Sequence, residues 1–433
     1  MSTAPVLPPA LTFAPVGEML TPDQSNWTRL QPDTNATVVG SATSVVQTQF
    51  TIPAGGGFLQ TSTLYFRCLV TNTSVTNVPA ACDAQVMAFN LINRVQIRTA
   101  SKMLEDIRNF NELKELARCQ QHPSFNAYPA TVTEWTDNSV GTTASLLAAG
   151  ATREATISFS PSVLLSRSGK DVPMSLSSEP LIILISWESP VVALTLAAGT
   201  STAGFTVSGM QLCYRSIVMP ELFVANMRSE LARVDEGGRA GLKISGSAFQ
   251  TYLTPVQAST PSQNILIPAR ARIKTLLHKH VSAALQVVNA YSIQNARRNG
   301  LSQWLYRYGA TQVPTEALTI SDVAYADAFV QVTRALGREQ NTLTPVSFGA
   351  ARYGGAGQDL DNAAVYWGLD VQTVSTTGHF GNNTWDTRSE ALSLSMVCTW
   401  GGPGAMNAAT VLTFVESEVD FYLSADGKWS VEV

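Results

Sequence analysis

In one segment of this chain a strand pattern is followed by a turn and then by a helical pattern. Few β-folds require a helix at such a place. In residues 91–107, LINRVQIRTASKMLEDI, Val95 and Ile97 alternate with polar residues, which is the period of a half-buried strand. The chain then turns at residues 99–102 and enters NFNELKELARC, where apolar residues return every three or four positions. The apolar stripe predicted for this helix comprises Leu104, Ile107, Phe110, Leu113 and Leu116 or Ala117.

The same plan returns about half a chain later. QWLYRYG has a strand pattern, QVPTEAL contains a turn, and SDVAYADAFVQVTRALG has a helical pattern with Ser321 as its N-cap. Glu105 and Glu316, which precede the two predicted helices, are about 211 residues apart in a chain of 433. The repeat predicts two domains of one design.

About eight short strand patterns occupy each half. The clearest is residues 409–423, where Val411, Val415 and Val419 share one face and acidic residues occupy the other. Eight antiparallel strands per half fit a jelly roll. The predicted fold is all-β, with two tandem eight-stranded antiparallel jelly-roll barrels that each carry a short inserted helix. Further strands are predicted at residues 44–52, 60–72, 153–160, 180–189, 205–218, 241–253, 263–269, 272–285, 303–309, 362–371 and 390–400.

The ends and the middle of the chain suggest its division. Residues 1–40 are rich in Pro, Ser, Thr and Asn and have no sustained period, so they are predicted to form an extended arm that becomes ordered on a partner surface. Residues 220–234 begin with Pro220 at a first-turn position and end before a Gly pair, which predicts a connecting helix. The predicted units are the arm 1–40, a first jelly roll 41–219 and a second jelly roll 220–433.

Composition favours a protein that packs against copies of itself. Charged residues make up 14% of the chain, against roughly 25% in ordinary soluble proteins. Small polar residues fill the difference, and such a surface is easily desolvated. An extracellular β-protein with a Ser/Thr-rich surface has the same composition. The net charge of −4 and the pI near 5.7 argue against strong direct nucleic-acid binding.

The cysteines and the apolar runs bear on the compartment. Five widely spaced cysteines without a C-x-x-C pair indicate neither a disulfide framework nor a zinc site, and we expect buried thiols. Prolines interrupt the N-terminal region, so no signal peptide is expected. The most apolar run, residues 181–185, is far shorter than the roughly 20 residues of a spanning helix, and no transmembrane segment is expected.

Two groups of residues could hold a cation. His278 and His280 would share one face of a strand and supply two metal ligands, or they are partly solvated histidines at a barrel face or subunit contact. Glu416, Glu418 and Asp420 would form an acidic strand face. That face could hold Ca²⁺, act as the paired carboxylates of a glycosidase, be solvated, or meet arginines of a neighbouring chain.

Other candidate sites have no clear signature. There is no G-x-S-x-G, and only His122 and His379 remain as further bases, so a hydrolase triad is not expected. The Gly-rich residues 352–357 and 401–404 are predicted loops. The pairs Arg270/Arg272 and Arg297/Arg298 could touch nucleic acid, lie at interfaces or be solvated. Trp304, Tyr306 and Tyr308 could stack on bases or pack in a core. The sequence predicts no catalytic, cofactor-binding or metal-binding residue.

Three segments resemble the double jelly-roll major capsid proteins of tailless icosahedral viruses, of the adenovirus, virophage and Polinton-like lineage. LINRVQIRTASKMLEDIRNFNEL resembles the strand, turn and helix of the first roll in that family. SFSPSVLLSRSGKDVPMSLSSEPLIILISWES resembles a later part of that roll, with a Lys-x-x-Pro step from Lys170 to Pro173. QWLYRYGATQVPTEAL resembles an aromatic, basic strand and turn of the second roll.

The resemblance implies an enzymatically inactive virion protein without cofactors. It implies a homotrimer with six barrels in a ring, a pseudo-hexameric tile that contacts neighbouring capsomers and penton and minor capsid proteins. It also implies that each helix closes a barrel end or braces its neighbour, with the Glu and Lys of NELKEL outside. The protein would be made in the host cell interior and localise to the capsid.

Two other functions fit a pair of β-barrels. Jelly rolls also occur in carbohydrate-binding and carbohydrate-cleaving proteins. Such a protein would need a secretion signal, or an exposed aromatic platform with carboxylates. A cellular shell or surface-layer protein rich in β-strands is a third interpretation.

Overall fold

The computed structural model describes the barrels and part of their connections. It covers residues 24–41, 43–74, 84–120, 134–135, 145–196, 202–232, 241–257, 261–281, 299–320, 326–336, 366–371, 385–388, 393–401 and 409–432. Within them the chain forms two tandem antiparallel jelly rolls, as the sequence predicted. The sheets of the first roll use strands between residues 24 and 218, and those of the second use strands between residues 242 and 432. No described helix is long and apolar enough to cross a bilayer.

The first roll is a sandwich of two main sheets with a small third sheet beside it. One main sheet has the order β1-β13-β4-β9, with β2 on β13 and β10 on β4, and the other has the order β3-β11-β6-β7. The small sheet has the order β12-β5-β8. The strands of the first roll are β1 Gln24–Leu30, β2 Val38–Val39, β3 Gln47–Ile52, β4 Phe58–Asn72, β5 Ala84–Val86, β6 Ile92–Arg98, β7 Met103–Arg108, β8 Ser145–Leu147, β9 Thr152–Ser158, β10 Val172–Pro173, β11 Leu181–Trp187, β12 Thr195–Leu196 and β13 Phe205–Val218.

The second roll repeats this sandwich. Its sheets have the orders β14-β21-β16-β19, with β22 on β21, and β15-β20-β17-β18. The strands are β14 Leu242–Val256, β15 Ser262–Ile267, β16 Ile273–Val281, β17 Leu301–Tyr308, β18 Thr311–Thr319, β19 Trp367–Asp370, β20 Leu394–Trp400, β21 Ala409–Leu423 and β22 Trp429–Glu432. The helices within the described residues are α1 Phe110–Gln120, α2 Pro190–Ala193, α3 Glu221–Glu230 and α4 Ala326–Ala335, with a 3-10 turn at Ala88–Leu91 and a π turn at Val163–Arg167.

The strand orders put the two rolls in one-to-one correspondence. The order β1-β13-β4-β9 corresponds to β14-β21-β16-β19, and β3-β11-β6-β7 corresponds to β15-β20-β17-β18. Each roll therefore has eight equivalent strands, in agreement with the predicted fold. Helix α1 follows β7 and helix α4 follows β18, so the inserted helices are equivalent as well.

The repeated motif differs in detail from the predicted strand, turn and helix. Leu104 and Ile107 lie on β7, which forms a hairpin with β6, so their assignment to the helical stripe is wrong. QVPTEAL likewise lies on strand β18, which pairs with β17. Asn109 has a positive φ of 51°, which separates β7 from α1. The motif is therefore a β-hairpin followed by a helix, and the predicted N-cap Ser321 lies outside the described residues.

Part of the predicted N-terminal arm is a strand. Gln24–Leu30 pairs along its whole length with β13, and Val38–Val39 pairs further along the same strand. These residues are therefore ordered by pairing within their own chain and not on a partner surface, because backbone pairing does not require an alternating apolar pattern. Residues 1–23 lie outside the described part. The connecting helix forms at Glu221–Glu230, with Pro220 as its N-cap. The division at residues 219 and 220 stays a prediction.

Each sandwich encloses an aromatic-rich core. In the first roll Phe66 contacts Phe50 at a ring-centroid distance of 5.8 Å and Trp187 at 5.9 Å. In the second, Trp304 and Trp367 are fully buried. Cys68, Cys213 and Cys398 are buried free thiols, which confirms the expectation for these three, whereas the side chains of Cys82 and Cys119 lie outside the described part.

A glycine in the second roll tests this packing. A Cβ atom at Gly368 on β19 would lie 2.2 Å from the carbonyl oxygen of Leu276 on the paired strand β16. We expect Gly368→Ala to lower the free energy of unfolding by roughly 1–3 kcal/mol, because the backbone must move to accommodate it. Gly56→Ala is the control, since its nearest neighbour would be 3.5 Å away. Equal melting temperatures of the two variants would contradict the described pairing.

Candidate functional site: the junction between the two rolls

The second roll presents one sheet face to the first roll. On β16 and β21, residues that point to the core of the second roll are buried, and so are residues of the opposite face such as Leu277, Leu412 and Phe414. A sheet of a free sandwich would leave this outer face in water. Here the first roll covers it with helix α1, the end of β7 and the π turn. We call this contact the junction.

The first turn of α1 brings a carboxylate to a buried lysine. Lys279 lies on the outer face of β16, its side chain is fully buried, and its Nζ forms an ion pair with Glu112. The Nζ also lies 5.9 Å from the ring centroid of Tyr366. Breaking such a pair leaves a charge in a poorly hydrated place, so each partner requires the other. The pair therefore fixes how α1 sits on the second roll.

The same helix carries a second buried charge inside the first roll. Lys114 forms an ion pair with Glu134 at 2.8 Å and donates a hydrogen bond to the Ser160 hydroxyl at 2.9 Å. Glu115 is also buried. The expectation that the Glu and Lys of NELKEL lie outside is therefore wrong. Both sides of α1 are covered, one by its own roll and one by the second roll, so its polar residues have protein partners in place of water.

The π turn Val163–Arg167 supplies the next contact. Arg167 forms an ion pair with Glu416 on β21 at 2.9 Å, and its guanidinium carbon lies 4.8 Å from the ring centroid of Phe249 on β14. Val163 packs so closely on β14 that a Cβ atom at Gly246 would lie 2.3 Å from it. The turn thus combines a charge pair, a cation–π contact and close packing of the Val163 side chain against a glycine.

A buried carboxylate holds this turn in place. Glu105 on β7 accepts hydrogen bonds from the Ser162 hydroxyl and from the Val163 N–H, the latter at 2.8 Å. Burial raises the pKa of Glu105 to about 7, although these donors and Arg167 act in the opposite direction. Glu105 thus connects the first roll's hairpin to the turn that contacts the second roll. Its counterpart Glu316 is exposed on β18.

The C-terminal hairpin ties the rolls together at another place. The Trp429 indole N–H donates to the Ser177 hydroxyl at 3.1 Å, and the Ser178 N–H donates to the Gly427 carbonyl at 2.9 Å. Gly427 has φ of 76°, and a Cβ atom there would lie 2.8 Å from the Leu176 carbonyl oxygen. Only glycine allows this approach.

A polar cleft of about 190 Å³ lies within the junction. Of its two acidic residues, Glu112 and Glu188, the latter accepts hydrogen bonds from the amides of Asn93 at 2.5 Å and Asn111 at 3.3 Å. Burial raises the pKa of Glu188 above its ordinary value. Both amides donate to Oε2 of Glu188, and the Ser189 N–H donates to Oε1 at 2.8 Å, so this carboxyl group helps to complete the contact.

The acidic strand face is paired with basic residues of the same chain. Glu416 meets Arg167, Glu418 meets Lys274 at 3.0 Å, and Asp420 meets Lys243 and Arg272, both at 3.1 Å. The interpretations as a solvated face or as a contact for a neighbouring chain's arginines are therefore wrong. Interleaved Lys and Arg side chains also disfavour a bound cation, and the described residues contain no cluster of three metal-ligating side chains.

A cleft of about 510 Å³ opens at the end of this ladder, lined by Lys243, Arg272, Asp386, Arg388, Asp420 and Glu432 among others. Such a cleft could suggest acid–base chemistry. However, hydrogen bonds from Ser245 and Lys243 and the charge of Arg272 hold the pKa of Asp420 below its usual range, against the effect of its partial burial. A carboxylate that stays ionised and ion-paired is a poor proton donor near neutral pH.

The two histidines lie in the core of the second roll. His278 shares hydrogen bonds with the Thr413 hydroxyl at 2.9 Å and the Tyr306 hydroxyl at 2.8 Å. The His280 ring centroid lies 4.5 Å from that of Trp367. Burial lowers the pKa of His278 to about 3, so the ring is neutral. The prediction of partly solvated histidines is wrong, and both ring nitrogens of His278 already have partners that a metal would displace.

The remaining candidates have structural roles or lie elsewhere. Trp304 and Tyr306 are core residues, and Tyr308 stacks on Trp385 at 5.0 Å, which confirms packing over base stacking. Arg270 donates a hydrogen bond to the Tyr252 hydroxyl at 2.8 Å. The candidates outside the described residues are His122, His379, Arg297, Arg298, residues 352–357 and residues 402–404.

Comparison with known proteins identifies this architecture. No known protein family and no curated protein matches the sequence. The structure of the PBCV-1 virus capsid aligns with this chain at 11% sequence identity and a TM-score of 0.58, and the alignment covers 98% of this chain and 100% of the capsid chain. The alignment with the Faustovirus major capsid protein covers 94% of this chain and 92% of that protein, at 9% identity and a TM-score of 0.56. The alignment with the mavirus major capsid protein covers 100% of this chain and 96% of that protein, at 8% identity and a TM-score of 0.51.

The chain has the double jelly-roll fold of these viral capsid proteins. The matches span both rolls, and at such low identities they concern the fold.

The buried ion pair of the junction can be tested by a double-mutant cycle. We expect Lys279→Met to lower the free energy of unfolding by about 3–5 kcal/mol, because Glu112 would remain charged and buried. The double variant Glu112→Met/Lys279→Met should recover much of this loss. Thermal unfolding followed by circular dichroism measures both. The exposed pair Asp426–Lys428 is the control, where the same substitutions should have little effect. Additive losses at the junction would contradict a direct pairing.

Glu105 should make stability depend on pH. Its pKa of about 7 in the folded protein lies above the ordinary value of 4.5. The folded state therefore holds the proton more tightly, and its contribution to stability is lost as the pH rises from about 4.5 to 7, by about 3 kcal/mol. Relative to Glu105→Gln, the wild type should become less stable across this window in urea titrations. Parallel curves for the two proteins would show that Glu105 does not titrate there.

Proposed function

We propose that this protein is a viral major capsid protein. It assembles into pseudo-hexameric homotrimers that tile an icosahedral shell. The observation that carries the proposal is the pair of equivalent rolls, joined by a buried contact and matching double jelly-roll capsid proteins along nearly the whole chain. Two similar barrels per chain allow a threefold assembly to present nearly sixfold edges, so one polypeptide can fill a hexagonal lattice.

The partners follow from this role. Neighbouring capsomers would meet through surfaces that are poor in charge, and the chain as a whole is 14% charged. Penton and minor capsid proteins would contact the same shell, and the protein would be made inside the host cell. We propose no catalytic activity, no cofactor and no strong direct contact with nucleic acid. The polar clefts and histidines described above support a structural role, since their ionisable groups are already paired.

The carbohydrate alternative gains no support from the tryptophans. Of the eight tryptophans, six are buried and Trp385 is partly buried, which leaves Trp27 as the exposed one. A sugar-binding platform needs exposed aromatic rings beside carboxylates.

Light scattering and negative-stain microscopy test the proposal. A homotrimer of the 46.4 kDa chain should give about 140 kDa. The particles should be six-lobed, or form closed shells, when viewed by electron microscopy. A stable monomer at micromolar concentration, with binding on a glycan array, would instead favour a carbohydrate-binding protein.

A further inference from the structure

The cleft of about 190 Å³ within the junction has two walls of different chemistry. The first roll contributes a mainly polar wall, which includes Asn93, Asn111 and Glu188. The second roll contributes a mainly apolar wall, which includes Leu253 on β14 and Leu412 on β21. A ligand in this cleft would therefore meet polar groups on one side and hydrocarbon on the other.

The polar wall carries an excess of negative charge. Its two carboxylates belong to Glu112 and Glu188, and its described lining residues include no lysine, arginine or histidine. Glu112 forms its ion pair with Lys279 of the second roll. Glu188 is paired only with neutral donors in the described part of the chain, namely two asparagine amides and the Ser189 N–H. One negative charge of the wall therefore has no positive counterpart among the residues that the structure describes.

The amide oxygens of this wall add further hydrogen-bond acceptors. The amide groups of Asn93 and Asn111 direct their N–H bonds to Oε2 of Glu188, so their oxygens point elsewhere. The Asn111 oxygen accepts one hydrogen bond, from the Glu112 N–H at 2.9 Å. An amide oxygen has two lone pairs and can accept a second bond. The wall thus suits a ligand that donates several hydrogen bonds.

A positive charge in the cleft would relieve a cost that Glu188 bears. Burial raises the pKa of Glu188, and the nearby Glu112 carboxylate acts in the same direction. The hydrogen bonds from Asn93, Asn111 and Ser189 oppose this change without cancelling it. A cation close to Glu188 would stabilise the ionised carboxylate against both effects.

The volume and the apolar wall limit what the cation can be. A volume of about 190 Å³ corresponds to roughly six water molecules at about 30 Å³ each, which leaves room for about five or six non-hydrogen atoms. Hard metal ions prefer a shell of oxygen ligands, whereas Leu253, Val281 and Leu412 supply hydrocarbon. Leu253 is 56% exposed, so the cleft opens to water beside β14. These features favour an organic cation with a short alkyl chain.

We propose that the junction cleft binds a small primary alkylammonium ion, with the ammonium group on Glu188 and the alkyl chain against Leu253 and Leu412. A primary ammonium has three donors and one positive charge, which match the acceptors and the unbalanced charge of the polar wall. The ligand would contact both rolls, so it would bind only while they are docked and would stabilise that arrangement. The inference goes beyond the proposed function and does not depend on assembly.

Ligand-detected NMR with n-butylammonium chloride tests the site. The protein is kept in phosphate buffer without amines, and saturation transfer is followed as the ligand is titrated. We expect a dissociation constant of about 1 mM or lower. The neutral analogue n-butanol should bind at least about tenfold more weakly, because it has the same chain without the charge. Undetectable binding, equal affinities for the two compounds, or displacement of n-butylammonium by an equal concentration of sodium ions would overturn the proposal.

The Glu188→Gln variant tests the position of the ammonium group. The substitution removes the charge and keeps the size of the side chain, so n-butylammonium should bind at least about tenfold more weakly than to the wild type. Glu221→Gln is the matched control, since Glu221 is exposed on α3 and does not line the cleft. Circular dichroism melting checks that both variants are folded. Unchanged affinity of Glu188→Gln would show that the ammonium group lies elsewhere.

Chain length supplies a measurement that does not depend on the folding of a Glu188 variant. Each methylene buried against the apolar wall should raise the affinity of the wild type by about fourfold, from methylammonium to n-butylammonium. Leu253→Ser, at an exposed position, should flatten this series and leave the binding of methylammonium unchanged. Equal affinities of the wild type for methylammonium and n-butylammonium would mean that the alkyl chain does not contact this wall, which contradicts the proposal.

The outcomes separate this inference from the proposed function. If light scattering shows a trimer but n-butylammonium does not bind, the cleft assignment is wrong and the proposed capsid function stands. If n-butylammonium binds with the expected selectivity to a protein that stays monomeric, the cleft assignment stands and the proposed function is overturned.

Discussion

The burial of a lysine between two β-sandwiches is the constraint around which this chain is organised. Lys279 sits on the outer face of a sheet, a position that is normally solvated, yet its side chain is fully buried and paired with Glu112. A charge in that position is tolerated only when the first roll is docked, because undocking would require the pair to separate or to carry water into the contact. The pair therefore links the folding of α1 to the relative position of the rolls. The π turn extends the contact to Glu416 and Phe249.

The strands and the repeat could be predicted because their information is local. Residues 205–218 and 409–423 were predicted as strands with the bounds that the structure gives, and the equivalence of the two rolls follows from spacing alone. Leu104 and Ile107 were misassigned because their three-residue spacing fits the helical period, whereas a register shift opposite Ile97 and Arg98 breaks the strict alternation expected of a strand on β7. In the structure these residues form strand β7, which pairs with β6, and the helix begins only at Phe110.

The junction could not be predicted, because burial by another domain leaves little local trace. A Glu and Lys rich helix such as NELKEL is usually a solvated surface, and only tertiary contacts place Lys114 and Glu115 inside. The one available signal was the run VLTFV on β21, where apolar residues occupy both strand faces instead of alternating. The strand LIILI of the first roll is similarly apolar, so the signal alone would not have identified which sheet meets a neighbour.

The outer faces of the two rolls differ in chemistry although they are built from equivalent strands. On the second roll the face is apolar with one buried charge, which suits halves that are covalently joined and never need to exist apart. On the first roll the same strands present arginines around Trp27, and the face remains compatible with water. The difference lies in side chains, since the strand orders are the same. A permanent contact can rely on apolar burial, whereas a contact that forms between folded molecules depends more on charge complementarity for its specificity.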